Sequence, residues 1–247
     1  MIEDYNRYHF TKFEYIRYIL QGILFVLVLG ILFYQSIFGV LFLIPLVLIY
    51  LKRKKKLLIN DRKWELNQEF RDSIISLSAA LNAGYSAENA FEEARKDLKL
   101  LYREDSLIMQ ELSYIIKQIH MNISIEKALY DFGRRTGIED IINFAEVFAT
   151  AKRTGGDLIK IIQTSANAIS DKIEVKREII TIVTGKKQEA NIMKLIPPGI
   201  LLYLHCFTPG FLTPLYHNLF GVIIMTLLLA IYLGAYLLAD KIVSIEV

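Results

Sequence analysis

Two long stretches without a charged residue constrain this chain more than any other feature. Residues 18–51 are 34 consecutive residues without Asp, Glu, Lys or Arg, and residues 195–239 are 45 such residues. A continuous helix over the shorter stretch would be about 51 Å long, whereas the hydrocarbon core of a bilayer is about 30 Å thick. Each stretch is therefore too long for one membrane span, and each is predicted to form a transmembrane hairpin.

The first hairpin is predicted over residues 19–51, with its turn near Gln35 and Ser36. The second is predicted over residues 192–239, where residues 208–218 are rich in helix breakers and lack Lys and Arg. Such a segment is typical of an external loop. The two hairpins together supply four predicted spans.

Positive charge favours hairpins over single spans. Arg7, Lys12 and Arg17 precede the first uncharged stretch, and the cluster Lys52–Lys56 follows it. A hairpin keeps both groups of cations in the cytoplasm, as the positive-inside tendency favours. Residues 1–18, which mix these cations with aromatic residues, are predicted to lie at the membrane interface. We therefore expect a multi-pass membrane protein with both termini and the tail 240–247 in the cytoplasm.

The segment between the hairpins is charged. Residues 52–191 contain 24 of the 29 Lys and Arg residues and 21 of the 26 Asp and Glu residues. Apolar residues recur there at helical spacing in six stretches, the fourth of which is predicted to end at Gly133. The expected fold class is all-α, with a cytoplasmic bundle of about six helices between the hairpins. Residues 170–190 are predicted to form a stalk helix into the membrane; two helices broken at Gly185 are the alternative.

Three turns between the predicted helices share one pattern, in which a residue that tolerates positive φ is followed by a helix N-cap. The residues are Gly84 and Ser86, then Asn122 and Ser124, and then Gly155 and Gly156 with Asp157.

No motif in the sequence indicates catalysis. The four histidines are scattered, the single cysteine is Cys206, and Gly185–Lys186 lacks the preceding glycine of a phosphate-binding loop. We expect no enzyme activity, no cofactor and no metal, and the formal net charge of +3 is too small to indicate nucleic-acid binding. A membrane enzyme that uses Asp157 or His120 is a weaker alternative, because no second catalytic residue can be named near either.

Two pairs of adjacent cations allow two interpretations. Arg134 with Arg135, and Lys152 with Arg153, are either ordinary solvated surface charges or part of a docking face for an acidic partner. The sequence leaves both open.

In their order, these features resemble the type II secretion system F domain, in the form found in Tad (Flp) pilus assembly platform proteins of the TadB and TadC kind. The resemblance covers about residues 60–240. It is carried by Leu81–Ala90, by Ser124–Leu129 with the following Arg134 and Arg135, by Thr154–Leu158 and by Pro214–Tyr216. The chain departs from the family at Asn122, where glycine is usual, and in residues 97–106, which lack a proline often found there.

The resemblance implies a non-catalytic platform in the lipid bilayer of the inner (plasma) membrane. Its bundle would meet a hexameric secretion ATPase, and its spans would help to move prepilin or pseudopilin subunits. A paralogous platform protein and a homo- or hetero-oligomeric assembly are also implied, although the sequence does not separate the TadB-like from the TadC-like paralogue. A small helical channel or transporter with a cytoplasmic regulatory domain is the alternative function.

Overall fold

The computed structural model describes residues 5, 6, 8, 10–154, 158–208, 210–216 and 218–243. Over these residues the chain is helical and contains no strand, which confirms the predicted all-α class. The helices are α1 (Lys12–Tyr34), α2 (Ile37–Leu43), α3 (Pro45–Asn82), α4 (Ala87–Leu98), α5 (Leu107–His120), α6 (Ile125–Thr136), α7 (Glu139–Thr154), α8 (Leu158–Phe207), α9 (Thr213–Tyr216) and α10 (Leu219–Val243).

The helices form two compact units. The bundle unit comprises Lys56–Val175 and the described residues before Phe10, and the apolar unit comprises Phe10–Lys55 and the described residues from Lys176 onward. Because α3 and α8 are long, each contributes to both units. The predicted bundle, residues 52–191, extends further at both ends than the bundle unit itself.

The apolar stripes of six helical segments meet in the core of the bundle unit. Phe70 of α3 lies edge-on to Phe132 of α6 and to Phe144 of α7, with ring centroids 5.8 and 5.5 Å apart. Edge-to-face packing of this kind is favoured by the ring quadrupoles. Further fully buried side chains of this core include Leu66, Ile74, Leu98, Ile108, Met109, Ile115, Ile125, Leu129, Ile141 and Phe148, together with Ile162 and Ile173 of α8.

Side-chain contacts place the turns of the bundle unit at two ends. At one end, His120 of α5 lies 2.7 Å from Glu92 of α4, and Lys152 of α7 lies 3.1 Å from Glu126 of α6. We call this the Gly84 end, because the turn between α3 and α4 also lies there. At the opposite end, the turns after α4 and α6 contact the middle of α3. Tyr102, after α4, donates a hydrogen bond to Asp72 of α3, and Asp140, at the start of α7, accepts one from Asn67 of α3.

Helix α6 continues past the residue at which the sequence predicts its end. Gly133 is buried inside α6, and the helix instead ends at Gly137, whose φ is +59°. A Cβ atom on Gly133 would lie 3.2 Å from the Cα atom of Ile142 in α7. Gly133 therefore permits close packing of two helices, a role that its position in the sequence does not distinguish from a helix stop.

Helix α8 runs without interruption through Gly185, so the predicted alternative of two helices broken at this residue is not observed. Gly185 has no contact within 4 Å of the position where a Cβ atom would lie. The flanking residues are good helix formers, and a single glycine costs a helix only about 1 kcal/mol.

In the apolar unit, α1 packs antiparallel to α2 and to the start of α3. Gly30 lies against Val40, and a Cβ atom on Gly22 would lie 3.0 Å from Val47 Cγ1. Helix α10 packs against α1, where Tyr34 Oη donates a hydrogen bond to Thr226 Oγ1 at 3.0 Å. The first uncharged stretch therefore folds back on itself within this unit, and α10 of the second stretch packs against it.

Among the described residues, three helices are long and apolar enough to cross a membrane by length and composition: α1, α8 and α10. This is consistent with a multi-pass membrane protein. The second predicted span, which follows Gln35 and Ser36, is divided between α2 and the start of α3, with Ile44 between them and Pro45 as the first residue of α3. The two-hairpin topology stays a prediction.

We expect Gly84→Ala to lower the free energy of unfolding by about 1–2 kcal/mol. Gly84 has a φ of +90°, and no atom lies within 4 Å of the added Cβ, so the cost is one of backbone conformation alone. The matched control is Gly185→Ala, also free of contacts but helical, which should not destabilise the protein. Thermal unfolding followed by circular dichroism in mild detergent measures both, and equal effects of the two changes would contradict the positive-φ turn.

Candidate docking surface and polar clusters

The predicted turn residues lie at helix boundaries of the bundle unit. Asn122 has a φ of +62°, in the same region as Gly84. Ser86 is the N-cap of α4, where its Oγ accepts a hydrogen bond from the amide of Asn89 at 3.3 Å. Ser124 is the N-cap of α6, without a hydrogen bond from its side chain to the helix amides. Gly155, Gly156 and Asp157 lie outside the described residues.

The four cations of the predicted docking face are not brought into one patch. Arg134 and Arg135 belong to the last turn of α6, whereas Lys152 pairs with Glu126 in the first turn of that helix. At 1.5 Å per residue these positions are about 14 Å apart along α6. Arg153 is exposed near Lys152, at the Gly84 end.

Arg135 is part of a buried ion-pair network. Its Nη1 and Nη2 atoms donate to both carboxylate oxygens of Glu111 in α5, at 2.8 and 2.6 Å, and its Nε atom donates to Asp131 at 2.8 Å. The side chains of Arg135 and Glu111 are only 16% and 2% exposed, whereas the neighbouring Arg134 is 75% exposed. Arg135 therefore joins α5 to α6 and is not open to a partner.

The N-terminal segment contributes Tyr5 to the same network. Tyr5 is buried, and its Oη atom donates to Glu111 Oε1 at 2.8 Å, while the Arg62 guanidinium lies 5.0 Å from the centre of its ring. Next to it, Asn6 accepts a hydrogen bond from Lys63 at 2.7 Å and donates to the carbonyl oxygen of Arg135 at 3.3 Å. This segment, predicted to be interfacial, therefore has two residues that pack on the bundle.

The interactions in this network stabilise the ionised form of Arg135 and the neutral form of Tyr5. Burial alone would lower the pKa of Arg135, but its hydrogen bonds to Glu111 and Asp131 raise it above the ordinary arginine value. Burial, and then the charge of Glu111, raise the pKa of Tyr5. At neutral pH Arg135 is therefore ionised and the hydroxyl of Tyr5 is neutral.

A second polar cluster joins three helices around Asp140. The Asp140 carboxylate accepts a hydrogen bond from Asn67 of α3 at 2.8 Å and one from Lys172 of α8 at 2.7 Å. The hydrogen bond with Asp140 raises the pKa of Lys172. Asn67 and Asp140 are buried. The cluster holds the start of α7 against α3 and α8.

A third cluster lies where the α4–α5 turn meets α3. Glu69 accepts a hydrogen bond from the amide of Ile108, in the first turn of α5, at 2.8 Å. Burial raises the pKa of Glu69, and this hydrogen bond opposes the increase. Tyr102 Oη donates to Asp72 at 2.5 Å. These contacts hold the turn between α4 and α5 against α3.

Two of the four histidines, His120 and His205, each lie beside a single polar side chain. His120 forms an exposed pair with Glu92, and His205 lies 2.8 Å from the amide nitrogen of Gln35 in the apolar unit. In the part of the chain that the structure describes, no three His, Cys, Asp or Glu side chains are grouped as metal ligands.

Exposed apolar side chains occur at the Gly84 end of the bundle unit. Tyr85 lies in the turn after α3, and Met121 and Ile123 lie in the turn after α5; all three are exposed. The exposed Arg153 lies at the same end. We call these four residues the Gly84-end surface. Its mixture of apolar and cationic groups is typical of a surface that contacts another protein.

The apolar unit carries a charged cluster at one end. Lys194 of α8 pairs with Asp240 of α10, its side chain is 12% exposed, and its Nζ atom lies 4.4 Å from the centre of the Tyr236 ring. Arg53 of α3 approaches Asp240 at 3.5 Å. At the other end of this unit, the predicted loop 208–218 contains α9, where Tyr216 Oη donates to the carbonyl oxygen of Leu32 at 2.7 Å.

Comparison with models of protein families, with curated proteins and with solved structures finds no match to this chain.

Sequence reasoning missed the partners in these clusters, although one signal was present. Glu111 falls on the apolar stripe of α5, between Ile108 and Ile115, and a charged residue on the face that turns to the core requires a partner of opposite charge. No comparable signal identifies Tyr5, which is more than a hundred residues from Glu111 in sequence.

Proposed function

We propose that the protein is a non-catalytic platform of the inner membrane that couples a cytoplasmic secretion ATPase to the assembly or export of prepilin-like subunits, as in type II secretion or Tad pilus assembly. Helix α8 carries this proposal. It is one continuous helix, Leu158–Phe207, whose first part belongs to the bundle unit and whose remainder belongs to the apolar unit. A displacement of the bundle by a partner would be transmitted along this helix.

The charge distribution of the apolar unit supports the proposed orientation. Arg53, Lys194 and Asp240 lie together at one end, whereas the described residues between Gln35 and Phe42 and between Thr208 and Phe220 include no charged residue. By the positive-inside tendency, the charged end faces the cytoplasm. Two hairpins with both termini and the bundle on the cytoplasmic side satisfy this arrangement.

The Gly84-end surface is the proposed contact with the ATPase. Its apolar residues are exposed in the absence of a partner, and Arg153 adds a cation that an acidic surface would complement. Arg135 takes no part, because its guanidinium is bound to Glu111 and Asp131. Paralogous platform subunits and prepilins would then contact the spans, in a homo- or hetero-oligomer.

Lys176→Pro tests the coupling role of α8. Proline inside a helix removes a hydrogen bond and kinks the helix, at a cost of about 3 kcal/mol or more. We expect this variant to co-purify with a hexameric secretion ATPase from membranes but to lose fibre assembly. Lys176→Ala, which removes the same side chain without a kink, should keep both properties.

Two outcomes would contradict the proposal. Unchanged fibre assembly by Lys176→Pro would show that α8 does not transmit force. Failure of the wild-type protein to co-purify with any secretion ATPase, together with ion flux in reconstituted vesicles, would favour the channel or transporter function instead.

A further inference from the structure

A ring of positive charge surrounds α3 at the charged end of the apolar unit. Lys52, Arg53, Lys54 and Lys55 follow directly on the 34-residue uncharged stretch. Successive residues of a helix point about 100° apart, so four of them surround the helix within a rise of about 5 Å. Cations therefore face every direction at one level, where the apolar residues end.

Two members of the ring face groups of the apolar unit itself. Lys54 Nζ lies 5.4 Å from the centre of the Tyr18 ring in α1. Arg53 lies 3.5 Å from Asp240, but the same carboxylate also binds Lys194. One acidic side chain is therefore shared between two cations and neutralises only one of them.

The other two members, Lys52 and Lys55, have no ion-pair partner among the described residues. They are three residues apart and so are neighbours on the helix surface, where like charges repel. Across the segments of the apolar unit, the sequence contains 12 Lys and Arg residues against 5 Asp and Glu residues. The unit thus lacks the negative charge needed to balance this ring.

We propose that Lys52 and Lys55 bind the phosphate of anionic lipid headgroups, with Arg53 and Lys54 adding to the local positive potential. The position of the ring at the end of the apolar residues puts it at headgroup level when α3 enters the bilayer. Tyr50, which is exposed just before the ring, and Tyr18 supply the interfacial aromatic groups that accompany such sites. This site needs only the membrane and is independent of the proposed platform function.

Native mass spectrometry of the full chain in neutral detergent tests the site. Dioleoyl phosphatidylglycerol and dioleoyl phosphatidylcholine are titrated separately, since they share acyl chains and differ in net charge. We expect the wild-type protein to bind phosphatidylglycerol at least about 25-fold more tightly than phosphatidylcholine. Each lysine near an anionic surface contributes roughly fivefold to binding, so K52Q/K55Q should weaken phosphatidylglycerol binding about 25-fold and leave phosphatidylcholine binding unchanged.

The matched control is K96Q/K99Q. These lysines have the same spacing but lie on the bundle unit, where they pair with Glu93 and Glu104. The control should bind both lipids as the wild type does. Equal wild-type affinities for the two lipids, or a K52Q/K55Q variant that keeps its preference, would overturn the proposal. Displacement of phosphatidylglycerol by millimolar inorganic phosphate would also overturn it, because the ligand would then be a free anion.

Discussion

Replacing Arg135 by alanine should lower the free energy of unfolding of the bundle unit by about 3–5 kcal/mol. The loss is large because the change removes the two hydrogen bonds that Arg135 donates to a carboxylate that is 2% exposed, and a buried charge without a counter-ion is strongly unfavourable. Trp64, the only tryptophan, packs against the core of this unit, so its fluorescence during urea unfolding in mild detergent measures the effect.

The adjacent Arg134→Ala is the matched control. Arg134 is exposed and forms only a long ion pair with Asp131 at 3.8 Å, so its removal should cost less than about 0.5 kcal/mol. In the double variant Arg135→Met with Glu111→Leu, no buried charge is left alone, and we expect most of the lost stability to return. If Arg135→Ala were as mild as Arg134→Ala, or if the double variant were the least stable, Arg135 would not have the buried role assigned to it.

Gly221→Ala should destabilise the apolar unit by about 2–3 kcal/mol, as overpacking of a close contact does. A Cβ atom at this position of α10 would lie 2.5, 2.6 and 2.8 Å from the carbonyl oxygen, Cα and carbonyl carbon of Leu215 in α9. All three atoms belong to the backbone, so a change of rotamer cannot relieve the clash. The clash is relieved only if α9 moves away from α10. Thermal unfolding followed by circular dichroism in detergent measures the loss of stability.

Gly234→Ala provides the comparison, because it lies in the same helix with nothing within 4 Å of the added Cβ. Alanine is the better helix former, so this variant should be as stable as the wild type or slightly more stable. The same midpoint temperature of thermal unfolding for Gly221→Ala and Gly234→Ala would mean that α9 and α10 do not pack as described.

Much of the fold could be predicted from local patterns. The spacing of Leu66, Phe70 and Ile74 predicts one buried helix face, and all three side chains are in the core. Positive φ at Gly84 and Asn122 follows from a residue type that tolerates it just before a helix cap. Such features depend on residues only a few positions apart, and periodicity and backbone preference act at that range.

The candidate site residues were harder to assign from sequence. Arg134 and Arg135 are adjacent and of one type, yet the first is exposed and the second is bound to Glu111. Gly133 and Gly137 are equally plausible helix ends, and only contact with Ile142 distinguishes them. In each case the role depends on which helix lies opposite, and this information is not contained in the neighbouring residues.

The sequence by itself determined the all-α class, the uncharged stretches, the six apolar helix faces and the turns at Gly84 and Asn122, because charge content and helical period are local properties. Only the tertiary structure decided that Arg135 belongs to a buried network with Tyr5 and Glu111, and that the predicted docking cations lie at two ends of α6. Burial and ion pairing are set by segments that are distant in the chain, and packing alone brings those segments together.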